Sequence, residues 1–158
     1  MNKVFFLKKN ILMFFLIIFI FLLDRYSKNL ILSNLNENLI YINDFLNFDL
    51  IWNTGIGFGL LSSKSNLIYN TISAIVGIIV IGLILISLKS DKFDQTAFSL
   101  IIGGALGNFY DRIFFKAVPD FIDLHYGSFH WFTFNIADIF ITIGVICLII
   151  KNFFIKDK

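Results

Sequence analysis

Between Leu67 and Leu88 the chain runs for 22 residues without a charged side chain. As a helix that stretch is roughly 33 Å long, enough to cross the hydrocarbon of a bilayer. Three further apolar segments, at Ile11–Leu32, Thr96–Phe115 and Trp131–Ile150, are of similar length. Hydrophobic residues make up 58% of the 158 residues and charged residues 15%. Such a chain cannot clothe itself with polar groups in water, so lipid is its solvent. The expected architecture is an all-α integral membrane protein, a bundle of four transmembrane helices forming one domain over residues 1–158.

The segments between the spans add detail. Lys3, Lys8 and Lys9 precede the first span in the manner of a secretory signal. No small-residue cleavage site follows, so the first span is expected to be retained. Leu39–Asp44 and Phe48–Asn53 carry partial alternation with β-branched and aromatic residues, which predicts a small two-stranded element in the first outer loop. The glycines of NTGIGFG (53–59) permit tight turns and close backbone approach to a ligand. Lys89–Gln95 reads as a short polar turn and Lys116–His130 as a loop. The N-terminus, the 89–95 turn and the C-terminal tail hold eight of the thirteen Lys and Arg residues. By the positive-inside rule both termini are cytoplasmic. The basic residues form no patch for nucleic acid. Cys147 stands alone in an apolar run, which excludes an internal disulfide and reads as a small buried hydrophobe.

Topology then assigns depth. Asp24 lies in the outer half of the first span, and Asn108, Asp111 and Arg112 close the third. Asn135 and Asp138 open the fourth, with Asp120 in the outer loop between. Four segments thus bring polar groups to one level near the extracytoplasmic face. Asp24, Ser27 and Lys28 share one helix face, as do Asn108, Asp111 and Arg112. Ion pairing or capping accounts for several of these residues singly. Asp138 has no cation near it in sequence, and a carboxylate at membrane depth is a functional candidate by default.

His125 and His130 share one loop and lack the helical spacing of a zinc peptidase, and no Ser–His pairing is evident. No metal and no cofactor are expected. Two aspartates sharing a proton could activate water and protonate a leaving amine. A proton-coupled relay or a helix-packing subunit would also use intramembrane polar residues. A relay, however, should spread ionisable groups through the membrane depth, and a packing subunit leaves Asp120 unexplained.

Five segments in order, DRYSK (24–28), NTGIGFG (53–59), GNFYDR (107–112), VPDF (118–121) and FNIAD (134–138), resemble the motif set of the lipoprotein signal peptidases, signal peptidase II. The resemblance runs from the first span to the last. It implies an aspartic endopeptidase of the bacterial inner membrane that removes the signal peptide from diacylglyceryl-modified prolipoproteins, cutting N-terminal to the lipidated cysteine. It implies Asp120 and Asp138 as the catalytic pair. Asp24, Lys28, Asn53, Gly55, Asn108, Arg112 and Asn135 would support the pair and substrate, with Asp111 structural. The first outer loop would fold as a β-like extracytoplasmic cradle. The partners are the prolipoprotein and membrane lipid, the enzyme acting as a monomer. Pro119 and Gly57 depart from the family's usual aliphatic residue and alanine.

Overall fold

The computed structural model describes residues 3–34, 39–55 and 66–154. Among them the helices are α1 (Lys3–Asn34), α2 (Asn66–Lys89), α3 (Lys92–Phe114) and α4 (Ile136–Phe154). The strands are β1 (Ile40–Asn43), β2 (Leu46–Asn53), β3 (Val118–Tyr126) and β4 (Phe129–Phe134). Three helices are long and apolar enough to cross a membrane, within Asn10–Asn34, Tyr69–Lys89 and Ile136–Phe154. Their large apolar side chains, such as Phe15, Ile78 and Ile146, point outward and are exposed. In lipid such faces need no protein partner.

Helix α3 is equally long at 23 residues but carries Lys92, Asp94, Asp111 and Arg112. It packs against α1, α2 and α4 and so occupies the centre of the bundle. Its buried positions are mostly small or polar, including Ala97, Ser99, Gly103, Gly104 and Gly107. Small residues let helix backbones approach closely where no hydrophobic effect drives association. At Gly104 the approach is extreme, since a Cβ there would lie 2.4 Å from the Ala137 carbonyl oxygen of α4. Met13, Ile17, Val80 and Ile102 form the apolar core between α1, α2 and α3. The polar turn between α2 and α3 is shorter than expected. Asp91 caps α3, accepting from the N–H groups of Phe93 and Asp94 at 2.9 and 3.0 Å.

The β-structure is larger than the sequence suggested. A four-stranded antiparallel meander, in the order β1-β2-β3-β4, replaces the two-stranded cradle, so the chain is not all-α. The segment 116–130, expected to be a loop, supplies β3 and the start of β4. Alternation was hard to see in β3 because six consecutive residues, Val118–Asp123, are buried whichever face they occupy. The hairpin turn pairs Tyr126 with Phe129 around Gly127, whose φ of +58° suits the first central position of a two-residue turn. Phe121 and Ile122 pack against Ile31 of α1, with Ile136 and Ile139 of α4 alongside, seating the sheet where α1 ends and α4 begins. The fourth helix starts at Ile136, not at Trp131. Asp138 therefore stands in the first turn of α4 rather than two turns inside a span. Gly57 and residues 156 and 158 of the basic tail lie outside the described residues.

Candidate active site

Strand β3 carries Asp120 and the start of α4 carries Asp138, and Asn135 links them. The Asn135 side-chain amide donates to Asp120 Oδ1 at 2.6 Å. Its Oδ1 accepts from the Asp138 backbone N–H at 3.2 Å, and its own backbone N–H donates to Asp138 Oδ2 at 3.3 Å. The last two bonds form a capping box, with Asn135 as N-cap and Asp138 at the third helical position. One asparagine thus starts the helix and aligns two carboxylates.

Each carboxylate has a second amide partner. Asn53 Nδ2 donates to Asp120 Oδ2 at 2.8 Å, and Asn108 Nδ2 donates to Asp138 Oδ1 at 2.8 Å. Gly55 sets the orientation of Asn53, because its backbone N–H donates to Asn53 Oδ1 at 2.8 Å and leaves the amide nitrogen facing Asp120. Pro119 lies opposite Trp52 in the β2–β3 ladder. The β4 pairing begins only at Ile122, so Pro119 sits where β3 has a neighbour on one side, a place that tolerates a missing N–H.

A second, ionic layer lies behind the first. Lys28 is fully buried and its Nζ donates to Asp24 at 2.9 Å, Asp111 at 2.7 Å and Asn108 Oδ1 at 2.8 Å. The bond to Asn108 orients that amide toward Asp138. Arg25, which the sequence did not single out, reaches Asp111 at 2.6 Å and Asp24 at 3.1 Å. Asp24 Oδ1 also accepts from the Ala137 backbone N–H at 3.1 Å, tying α1 to the first turn of α4. A Cβ at Gly107 would lie 2.4 Å from Asp24 Oδ2, so that position admits the carboxylate only as glycine. Ser27 turns back onto the Asp24 carbonyl at 2.9 Å and leaves the cluster.

Asp24 and Asp111 are held by cations, whereas Asp120 and Asp138 are held by asparagine amides and the backbone. Neutral donors orient a carboxylate without committing it to a permanent charge pair. Burial is the main cause that raises the pKa of Asp120, and the neighbouring Asp138 carboxylate adds to it. The amides of Asn53 and Asn135 oppose the shift, leaving the value at about 6.

Both carboxylates face a cavity of about 280 Å³, also lined by Asn53, Asn108, Arg112 and Val118. Arg112 is buried, and its Nη1 has no hydrogen-bond partner among the described residues. Its backbone carbonyl accepts from the Tyr69 hydroxyl of α2 at 3.1 Å, an anchor absent from the sequence reading. Eight of the nine expected site residues are thus joined by hydrogen bonds, and Arg112 lines the cavity beside them. Asp123 and His125, in the segment expected to be a loop, are buried on β3.

Lipid-length helices with a carboxylate-lined cavity beneath a sheet describe a membrane protein built to carry out polar chemistry. Residues 16–154 match the family described as signal peptidase (SPase) II. The lipoprotein signal peptidase of Pelagibacter ubique (strain HTCC1062) is 51% identical, over 100% of this chain and 96% of that protein. That of Aquifex aeolicus (strain VF5) is 42% identical, over 87% of this chain and 83% of that protein. A bacterial membrane enzyme solved by the in meso method at 1.9 Å resolution superposes with a TM-score of 0.76 at 34% identity, covering 92% of this chain and 94% of that one. The chain belongs to the signal peptidase II family, and it is a membrane protease.

Proposed function

We propose that this protease is an aspartic endopeptidase that removes signal peptides from diacylglyceryl-modified prolipoproteins, cutting N-terminal to the lipidated cysteine. The observation that carries the reading is the amide-held pair, Asp120 and Asp138, lining one cavity. One carboxylate, ionised, takes a proton from a water molecule as it attacks the scissile carbonyl. The other, protonated, donates to the carbonyl oxygen. As the tetrahedral diol collapses, the first carboxyl passes the proton it took from water to the leaving amine, and the second recovers its proton from the diol hydroxyl. Asn108 and Asn135 keep the lone pairs directed, and Arg112 Nη1, without a partner among the described residues, is available to a substrate carbonyl.

In this reading α3 is a fourth span, with the single domain covering the whole chain. Lys89, Lys92 and Lys151 lie at the end of the bundle away from the sheet, which supports cytoplasmic termini and an extracytoplasmic site in the inner membrane. The substrate enters laterally as a monomeric enzyme meets it in the outer leaflet, its acyl chains staying in lipid.

The test is a cleavage assay in detergent on lipidated and unlipidated forms of one prolipoprotein. Wild type should cut only the lipidated form, and Asp120→Asn and Asp138→Asn should cut neither while eluting as folded protein. Cleavage by either folded variant would overturn the pair.

A further inference from the structure

The β3–β4 hairpin carries a second cluster of metal-ligating groups, separate from the aspartate pair. Along β3, successive side chains alternate between faces, so Asp123 and His125 share one face and Asp120 takes the other. A regular ladder would set Trp131 opposite His125. Instead the register shifts between Leu124 and His125, which pairs His125 with His130. Such a bulge re-aims a side chain. Here it brings the second imidazole onto the first, with ring centroids 5.4 Å apart and planes 25° apart.

His130 Nδ1 lies 2.8 Å from Asp123 Oδ2, and His125 Nδ1 lies 3.5 Å from the same oxygen. One donor atom from each of the three residues falls within 4.8 Å of the other two. A hydrogen bond from His130 to Asp123 accounts for the first distance. It leaves the second unexplained, because His125 is buried and its Nδ1 has no hydrogen-bond partner among the described residues. Asn47, directly opposite Asp123 across β2–β3, is buried too, and its Oδ1 also lacks a partner among them.

We propose that Asp123, His125 and His130 form a site for a zinc-class divalent cation that clips the β3–β4 hairpin, with Asn47 orienting His125. Zinc binds imidazole and carboxylate donors at about 2.0–2.2 Å, which sets tetrahedral donors about 3.4 Å apart. The two donor separations from Asp123 Oδ2 bracket that spacing, and the two imidazole donors, within 4.8 Å of each other, need only close toward one another by side-chain rotation. Ligation through Nδ1 requires the His125 proton on Nε2. Asn47 Nδ2 now stands 3.4 Å from Nε2. Turning that amide by half a rotation places its partnerless oxygen there to accept the Nε2 proton, the outer-sphere bond that metal-bound histidines make. The His130 side chain is 53% exposed, and His125 borders an open cavity of about 380 Å³, which leaves an entry path and room for a water ligand.

The experiment titrates Zn²⁺, and Co²⁺ as its coloured stand-in, into the full chain, purified in detergent through a tag free of histidine and stripped with chelator. Wild type should take up one equivalent, give the absorption of a four-coordinate Co²⁺ site, and melt at higher temperature with Zn²⁺. His130→Ala, at a half-exposed position and so able to fold, should weaken binding by more than about tenfold, and Asn47→Ala by about tenfold. Folding of each variant is checked by elution and by melting without metal. No saturable uptake by wild type, or equal uptake by folded His130→Ala, would overturn the site.

Discussion

Asn135 and Asp138 hydrogen-bond each other twice, N–H to side-chain oxygen in both directions, at 3.2 and 3.3 Å. The contact that begins α4 is therefore also the contact that aims Asp138. Helix capping and site alignment can be separated by choice of substitution. Asn135→Ser keeps an N-cap acceptor of similar quality but removes the donor to Asp120. It should melt about 1 kcal/mol closer to wild type than Asn135→Ala and lose at least about a hundredfold in cleavage rate. Asn135→Ala should lose both, and comparing melting with initial rates for the two variants checks the division.

Asp120 gives a signed dependence of stability on pH. Its pKa is raised in the folded chain to about 6, so folding favours the protonated form. The associated stability is fully present below the ordinary value of 3.8 and is lost as pH rises through about 6. The loss is at most about 3 kcal/mol. Asp120→Asn, with no proton to lose, should equal or exceed wild type in melting temperature at pH 7.5 and lose that advantage at pH 4. Melting curves in detergent at the two pH values decide it, and an unchanged difference would contradict the raised pKa.

Lys28 serves three acceptors without contact with water. Lys28→Met fills the space but strands Asp24 and Asp111 with Arg25 as their remaining cation. Breaking a buried ion pair on one side costs about 3–5 kcal/mol. The variant should melt far below wild type, and its cleavage should fall because Asn108 is no longer held toward Asp138. Adding Asp24→Asn or Asp111→Asn should recover part of the melting temperature.

Gly104 tests the close approach of α3 to α4. An alanine Cβ there meets the Ala137 carbonyl oxygen at 2.4 Å, a backbone atom that can move only with its helix. Overpacking of this kind costs about 1–3 kcal/mol. Because Ala137 adjoins Asp138, Gly104→Ala should reduce cleavage at temperatures where it remains folded. Gly82, with nothing within 4 Å of a Cβ, is the matched control, and Gly82→Ala should leave cleavage unchanged and melt no lower than wild type.

Lys116 follows the end of α3 with φ at +59°, in the left-handed region where a side chain is strained. Lys116→Gly should relieve about 1 kcal/mol at that position, less the entropy that glycine adds to the unfolded chain. A small rise in melting temperature with unchanged cleavage is the expected result.

Apolar run length and the placement of charges were enough to locate the helices from sequence, though not the start of α4, because lipid excludes ionised groups from any helix that must cross it. The same exclusion made Asp24, Asn108, Asp111, Arg112, Asn135 and Asp138 conspicuous, and helical spacing put those on α1 and α3 on shared faces. Chain order also brought Asp120 near them. What sequence could not decide was which carboxylates share cations and which are held by amides. That depends on Arg25 and Lys28 reaching across to α3, and on Gly55 turning Asn53, distances that exist only after packing. Strand β3 escaped notice for a related reason, since burial on both faces erases alternation. The pairing of His125 with His130 rests on a single bulge in β4, a register choice that no local pattern encodes and only the assembled sheet determines.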